Sequence, residues 1–213
     1  MPNKKHEAHH CLLPFYQANQ FKKGSSFNLC FAYSLKNYSD MVFFVQKVQE
    51  LVESQSYLRQ TFSLKNNKLI TCIHHKLAAH INHLNSTINE VPDLIKILCN
   101  QKHDLENESS VKLNIIKIID NHNEYIILFN IHHILIDGYS LDEFIDSLNR
   151  LLQNKSIIQT DTNNYIAQLK EEQTLEIPDK STDITRYIQS VEEIYENMEL
   201  PLSNQSTSQP IVI

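Results

Sequence analysis

The chain has 213 residues, 41% hydrophobic and 21% charged, which is enough to bury a substantial core and too apolar for a disordered tail. Nineteen Lys and Arg against 25 Asp and Glu leave a net charge of -6, and the basic residues are scattered, which speaks against a nucleic-acid footprint or a polybasic membrane face. Cys11, Cys30, Cys72 and Cys99 lie far apart without a C-x-x-C pair, so neither a zinc ribbon nor a dense disulfide framework is supported; free thiols in or near the core of a protein in a reducing compartment fit.

The opening MPNKKHEAHHCLLPF is too short and too polar for a secretory signal, and the longest apolar run, Tyr125 to Ile136, falls short of a membrane span, so a cytoplasmic chain is expected. Two glycines, Gly24 and Gly138, leave no Gly-rich phosphate cradle, and their scarcity marks each as a candidate for a positive φ or a close backbone approach. A short helix is predicted over Pro14 to Lys22, then an extended run over Phe27 to Leu35 after Gly24-Ser25-Ser26. From Ser39, the residues Met41, Phe44, Val45, Val48, Leu51 and Val52 recur at helical spacing opposite Lys47, Glu50 and Glu53.

Leu58 to Leu64 and Lys68 to His74 flank Lys65-Asn66-Asn67 as a hairpin, and a weaker extended piece follows near His80 to Leu84. Pro92 suits the first turn of a helix that carries Leu94, Ile95 and Leu98 inward. Val111 to Ile119 and Glu124 to Ile131 read as a second hairpin. Ser140 with Glu143 forms a capping box before the apolar stripe Leu141, Phe144, Ile145, Leu148, Leu151 and Leu152. A moderate helix is expected near Tyr165 to Glu172 and a strong one along Ile184 to Met198. Beyond Pro201 comes a polar linker ending in three apolar residues with nothing after them to pack on, as though cut at a boundary. Helices interleaved with hairpins predict an α/β sandwich.

The segment HHILIDGYSL, from His132 to Leu141, sits where a buried strand ends and a capped helix begins, the place where open sheets present reactive groups. Successive strand side chains face opposite ways, so one of His132 and His133 faces the reaction and the other the interior. A neutral imidazole is the natural proton acceptor near neutral pH once its tautomer is fixed. Asp137 is placed either to orient it or to pair with a cation and shape the loop, and Gly138 would allow the tight turn into the helix. Eleven histidines, including His9-His10 and His74-His75, lack supporting Cys or carboxylate spacing, so no metal site is expected.

The HHILIDG run resembles the active-site motif of nonribosomal peptide synthetase condensation domains, in the chloramphenicol-acetyltransferase-like acyltransferase superfamily. The chain as a whole resembles the amino-terminal lobe of such a domain. A second family motif, R-H-x-x-L-R-x-x-F, is similar to Ser54 to Phe62: Leu58, Arg59 and Phe62 match, while Ser54 and Gln55 replace the first Arg and the His. Pro14 to Gln20, the HDLENESSVKLNIIKI run from His103 and the ELPLSNQSTSQP run from Glu199 follow the family's order.

The resemblance implies a two-layer α/β lobe with a mixed or antiparallel sheet covered by helices, residues 1–175, with 176–213 as a helix and linker towards an absent second lobe. It implies amide formation between a carrier-bound acyl or peptidyl thioester and an acceptor amine, with His133 catalytic, His132, Asp137 and Gly138 in support, and Arg59 as the ion partner of Asp137. Expected partners are acyl or peptidyl carrier proteins and a second lobe or synthetase module; no cofactor is bound directly, the substrates arriving on phosphopantetheine arms. The competing readings are a catalytically silent carrier-docking module and an oligomeric acyl-CoA acyltransferase, and epimerisation domains share the same histidine motif.

Overall fold

In a computed structural model of the chain, residues 3–20, 27–120, 124–160, 162–174 and 211–212 are described. The Gly24-Ser25-Ser26 segment, the helical stripe Ile184 to Met198 and the polar linker over 202–210 lie outside them. The elements run β1 (Lys4–Glu7), α1 (Leu13–Gln20), β2 (Asn28–Leu35), α2 (Tyr38–Ser54), β3 (Gln60–Lys65), β4 (Lys68–Ile73), β5 (His80–Ser86), α3 (Val91–Cys99), β6 (Val111–Ile118), β7 (Tyr125–His132), α4 (Gly138–Leu152), α5 (Thr162–Thr174) and β8 (Ile211–Val212).

A five-stranded sheet, in the order β5-β6-β7-β2-β8, carries the fold. The β6–β7 hairpin and the β2–β7 pair are antiparallel. β5 and β6 run parallel, because the α3 crossover returns the chain to the same end of the sheet. A smaller antiparallel sheet, β1-β4-β3, holds the first hairpin. The expected α/β sandwich with a mixed sheet is present.

Strand alternation divides the core in two. Phe31, Tyr33, Leu113, Ile115, Ile127 and Phe129 face the apolar stripes of α2 and α4, where Phe31 stacks flat on Phe129 at 4.6 Å and Phe144 meets both edge-on. Burying each such ring is worth roughly 1.5–3 kcal/mol. On the other face Ala32, Ile116, Ile118 and Leu128 pack against Val91, Ile95 and Leu98 of α3. Further along that second face the aliphatic residues give way to Lys112, Asn114, Asn130 and His132, all buried. This polar end of the sheet lies beneath the histidine motif.

Asparagine takes the left-handed backbone positions. Asn66 (φ 49°) and Asn67 (φ 62°) form the two-residue turn between β3 and β4, and Asn154 (φ 56°) follows α4. No glycine among the described residues has a positive φ, so of the two roles its scarcity suggested for Gly138 the left-handed backbone is not the one it serves. Three parts of the chain depart from expectation. The polar Lys4–Glu7 segment, without a β-former run, forms an edge strand on β4. Leu58 and Arg59 belong to a short 3-10 turn, so the hairpin begins at Gln60. Ile211 and Val212, expected to follow a linker with nothing after them to pack on, pair as a short strand with Ala32 and Phe31 on the edge of β2.

Candidate active site

β7 stays extended through His132, paired with Asn28 on β2, and the chain then turns: Leu135 N–H donates to the His132 carbonyl at 3.0 Å and Ile136 N–H to that of His133 at 3.3 Å. His132 therefore keeps its strand orientation, fully buried at the polar end of the sheet. Its Nδ1 accepts the Ile134 N–H at 3.1 Å, so the ring proton sits on Nε2 and the imidazole braces the turn from inside. Burial, reinforced by His103 and His133 nearby, pushes its pKa well below the ordinary imidazole value and keeps it neutral.

His133 leaves the strand. Its N–H is held by the Phe27 carbonyl at 2.7 Å, and its half-buried ring stacks on Phe15 of α1, centroids 5.2 Å apart and planes 8° from parallel. Phe27 meets Phe15 edge-on at 5.0 Å and backs the stack. Burial lowers the His133 pKa; a hydrogen bond to its own backbone carbonyl and the Asp137 carboxylate oppose this without cancelling it. The net lowering keeps the imidazole neutral near pH 7 and the Phe15 stack sets its plane, so the ring is able to accept a proton.

Asp137 is the N-cap of α4. Its backbone is extended and its Oδ1 accepts the Ser140 N–H at 2.8 Å. The cap is therefore Asp137 and not Ser140, because a carboxylate is the stronger acceptor for the amides of the first turn and suits the positive end of the helix dipole. Partial burial raises the Asp137 pKa, but the hydrogen bonds from Ser140 and the proximity of His133 outweigh it, so the group is ionised. Gly138 is the exposed first residue of α4.

Arg59 does not meet Asp137. It is 7% exposed and its guanidinium caps the end of α2, donating to the carbonyls of Val52 and Glu53, to the His74 carbonyl at 3.1 Å and to Ser56 Oγ at 3.3 Å. The helix end is its local electrostatic partner, so the expected ion pair does not form. The altered motif positions hold the segment after α4: the Ser54 carbonyl accepts the Thr160 N–H at 3.3 Å, and Gln55 donates to the Ile158 carbonyl and accepts from Thr160, while neighbouring Ser56 also bonds Thr160.

Sequence reading missed Phe15, Phe27, His103 and Asn130. His103, in the loop after α3, packs its ring edge-to-face on His132, centroids 5.6 Å apart, and bonds Asn130 Oδ1 at 2.8 Å. A signal existed for the polar pair: Asn130 and His132 fall on one strand face inside an otherwise aliphatic run. Cys30 is buried and Cys11 exposed, so Cys11 is not a core residue; the hydrogen bond with Cys99 and, after it, burial raise the Cys30 thiol. Among the described residues no group of three or more His, Cys, Asp or Glu side chains could hold a metal ion, and no helix is long and apolar enough to cross a membrane.

The condensation-domain profile matches residues 14–211. The chain belongs to the condensation-domain family. This condensation-domain chain is 24% identical over 142 residues to bacitracin synthase 1 of Bacillus licheniformis and 27% identical over 143 residues to tyrocidine synthase 3 of Brevibacillus parabrevis, in each case over 67% of its own length. It spans 3% and 2% of those synthases. Among solved structures, the starter condensation domain of rhizomide synthetase superposes with a TM-score of 0.64 at 13% identity, covering 86% of this condensation-domain chain and 48% of that one. A four-domain nonribosomal peptide synthetase bound to AMP and glycine superposes with a TM-score of 0.65 at 17% identity, over 85% of this chain and 14% of the synthetase. These similarities establish the fold.

Proposed function

We propose that this chain is the histidine-bearing lobe of a condensation-type acyltransferase, joining a carrier-bound acyl or peptidyl thioester to an acceptor amine when a complementary second lobe closes the site. The observation that carries the reading is His133: a neutral imidazole, fixed by a flat aromatic stack at a strand-to-helix junction, inside an intact HHILIDG motif.

The amine nitrogen attacks the thioester carbonyl carbon, a C–N bond forms, the C–S bond breaks and the phosphopantetheine thiol leaves. His133 accepts the proton the amine loses and returns it to the departing sulfur. His132 braces the turn from below, and Asp137 anchors the helix that closes the loop. The second lobe supplies the opposite wall, which excludes water and holds the donor thioester against the acceptor.

The test is reconstitution with loaded donor and acceptor carrier proteins and a second lobe, with His133→Ala as control. Amide product that disappears in the control supports the reading. Carrier binding without product in either form replaces it with a silent docking module.

A further inference from the structure

Far apart in sequence, Cys30 and Cys99 meet in the fold. Cys30 lies on β2 opposite Asn130 of β7, and strand alternation puts its side chain on the face shared by Asn28, Ala32 and Asn130, the face that α3 covers. Cys99 is the last residue of α3. Its carbonyl accepts the Asn28 amide at 2.7 Å and the Asn130 amide at 3.5 Å, so the neighbours that flank Cys30, one along the strand and one across it, both hold the backbone of Cys99. Asn28 also donates to the Gln101 carbonyl at 2.8 Å and Asn130 to the Leu98 carbonyl at 2.7 Å, which pins the helix end to the sheet on both sides of Cys99. The two thiols complete the contact with a hydrogen bond to each other.

Neither thiol enters the chemistry at His133, and neither is in a disulfide. Cα atoms of α3 and β2 come within 8 Å of each other, and two thiols already in contact on such pinned elements need little backbone movement to be joined. The sulfurs are inequivalent. Their hydrogen bond and burial raise the Cys30 thiol, whereas the same hydrogen bond lowers Cys99, so Cys99 ionises first. It is also the more accessible, half-buried where Cys30 is buried, and the thiolate is the form that attacks.

We propose that Cys30 and Cys99 form a redox modification site, a dithiol that a low-molecular-weight disulfide such as oxidised glutathione closes into a bond between β2 and α3. The Cys99 thiolate attacks one sulfur of oxidised glutathione, forming a mixed disulfide and releasing one glutathione thiolate. Cys30 then gives up its proton and attacks the Cys99 sulfur, which breaks the mixed disulfide and releases the second glutathione. The two protein thiols lose two electrons and two protons, and the glutathione disulfide gains both. The closed bond fixes the Leu98 and Cys99 carbonyls against Asn130, which holds His103 beside His132, so the oxidised form stiffens the support beneath the motif. The site is independent of any reaction at His133.

Oxidising the full folded chain with glutathione disulfide, blocking the remaining thiols with N-ethylmaleimide and digesting with trypsin for mass spectrometry reads the pairing, because Cys30 and Cys99 fall on separate peptides, 24–36 and 97–102. In the folded chain the Cys30–Cys99 link is expected to exceed every other pairing at least about tenfold, to be released by dithiothreitol and to raise Tm by roughly 5–10 °C. In urea the shorter loops Cys11–Cys30 and Cys72–Cys99 should predominate instead. Cys30→Ala is expected to stop at a glutathione adduct on Cys99, and Cys99→Ala to leave Cys30 unmodified and Tm unchanged by the oxidant. The same pairing pattern in folded and urea-unfolded chain, a preference for Cys11 or Cys72 in the folded chain, or a Cys30–Cys99 link that leaves Tm unchanged overturns the proposal.

Discussion

An imidazole that accepts a proton near neutral pH has to arrive uncharged and correctly turned, and His133 achieves both through burial and the flat stack on Phe15. Under the proposed reaction, His133→Ala lowers kcat by roughly 10²- to 10⁴-fold, measured as amide product by mass spectrometry. The rate rises with pH through an apparent pKa below the ordinary value of about 6.5 and is flat above it. Phe15→Leu releases the ring, so the apparent pKa moves up towards that value and kcat falls with little change in KM. The pair beneath makes a separate prediction. His103 titrates at about 4 and His132 well below its ordinary value when folded, so between about pH 6.5 and 4 the unfolded chain binds more protons than the folded one. Their contribution is intact above pH 6.5 and lost as the pH falls; the lowering of His103 to about 4 alone is worth on the order of 3 kcal/mol. Urea unfolding at pH 7 and pH 4.5 reads it, and equal midpoints would contradict it.

At the scale of elements, α4 begins where an ionised side chain meets bare amides. Asp137→Ala is expected to cost about 1 kcal/mol by chemical denaturation and Asp137→Asn much less, since asparagine caps nearly as well. Arg59 acts at the other relevant helix end, satisfying carbonyls at the close of α2; Arg59→Met strands them and costs roughly 1–3 kcal/mol. Because the two residues serve different helices, the double variant Arg59→Met, Asp137→Asn should add within about 0.5 kcal/mol, whereas an ion pair would give a clear coupling energy. Apolar period alone placed α2, α3, α4 and the β6–β7 hairpin close to their observed bounds. The Ser140–Glu143 capping box placed the start of α4 a turn late, because that pattern and an Asp three residues earlier compete for the same amides and only their geometry ranks them.

Across the whole molecule, the five-stranded sheet separates an apolar core under α2 and α4 from a face that turns polar towards the motif. That gradient buries His132 beneath the turn, while His133 lies beside α1. Under the proposed reading this lobe forms one wall of the site, so product formation is expected when a second lobe is supplied, which a carrier-based assay reads directly. The sequence by itself determined the α/β class, most of the elements, the HHILIDG run and its family resemblance, because these depend on local period and on residue types at fixed short spacing. The stack of Phe15 on His133, the burial of His103 against His132, the parallel pairing of β5 with β6 and the partners of Arg59 were decided only by the tertiary structure. Each joins segments from 15 to more than 100 residues apart or follows from which way a side chain faces, and no local pattern encodes either.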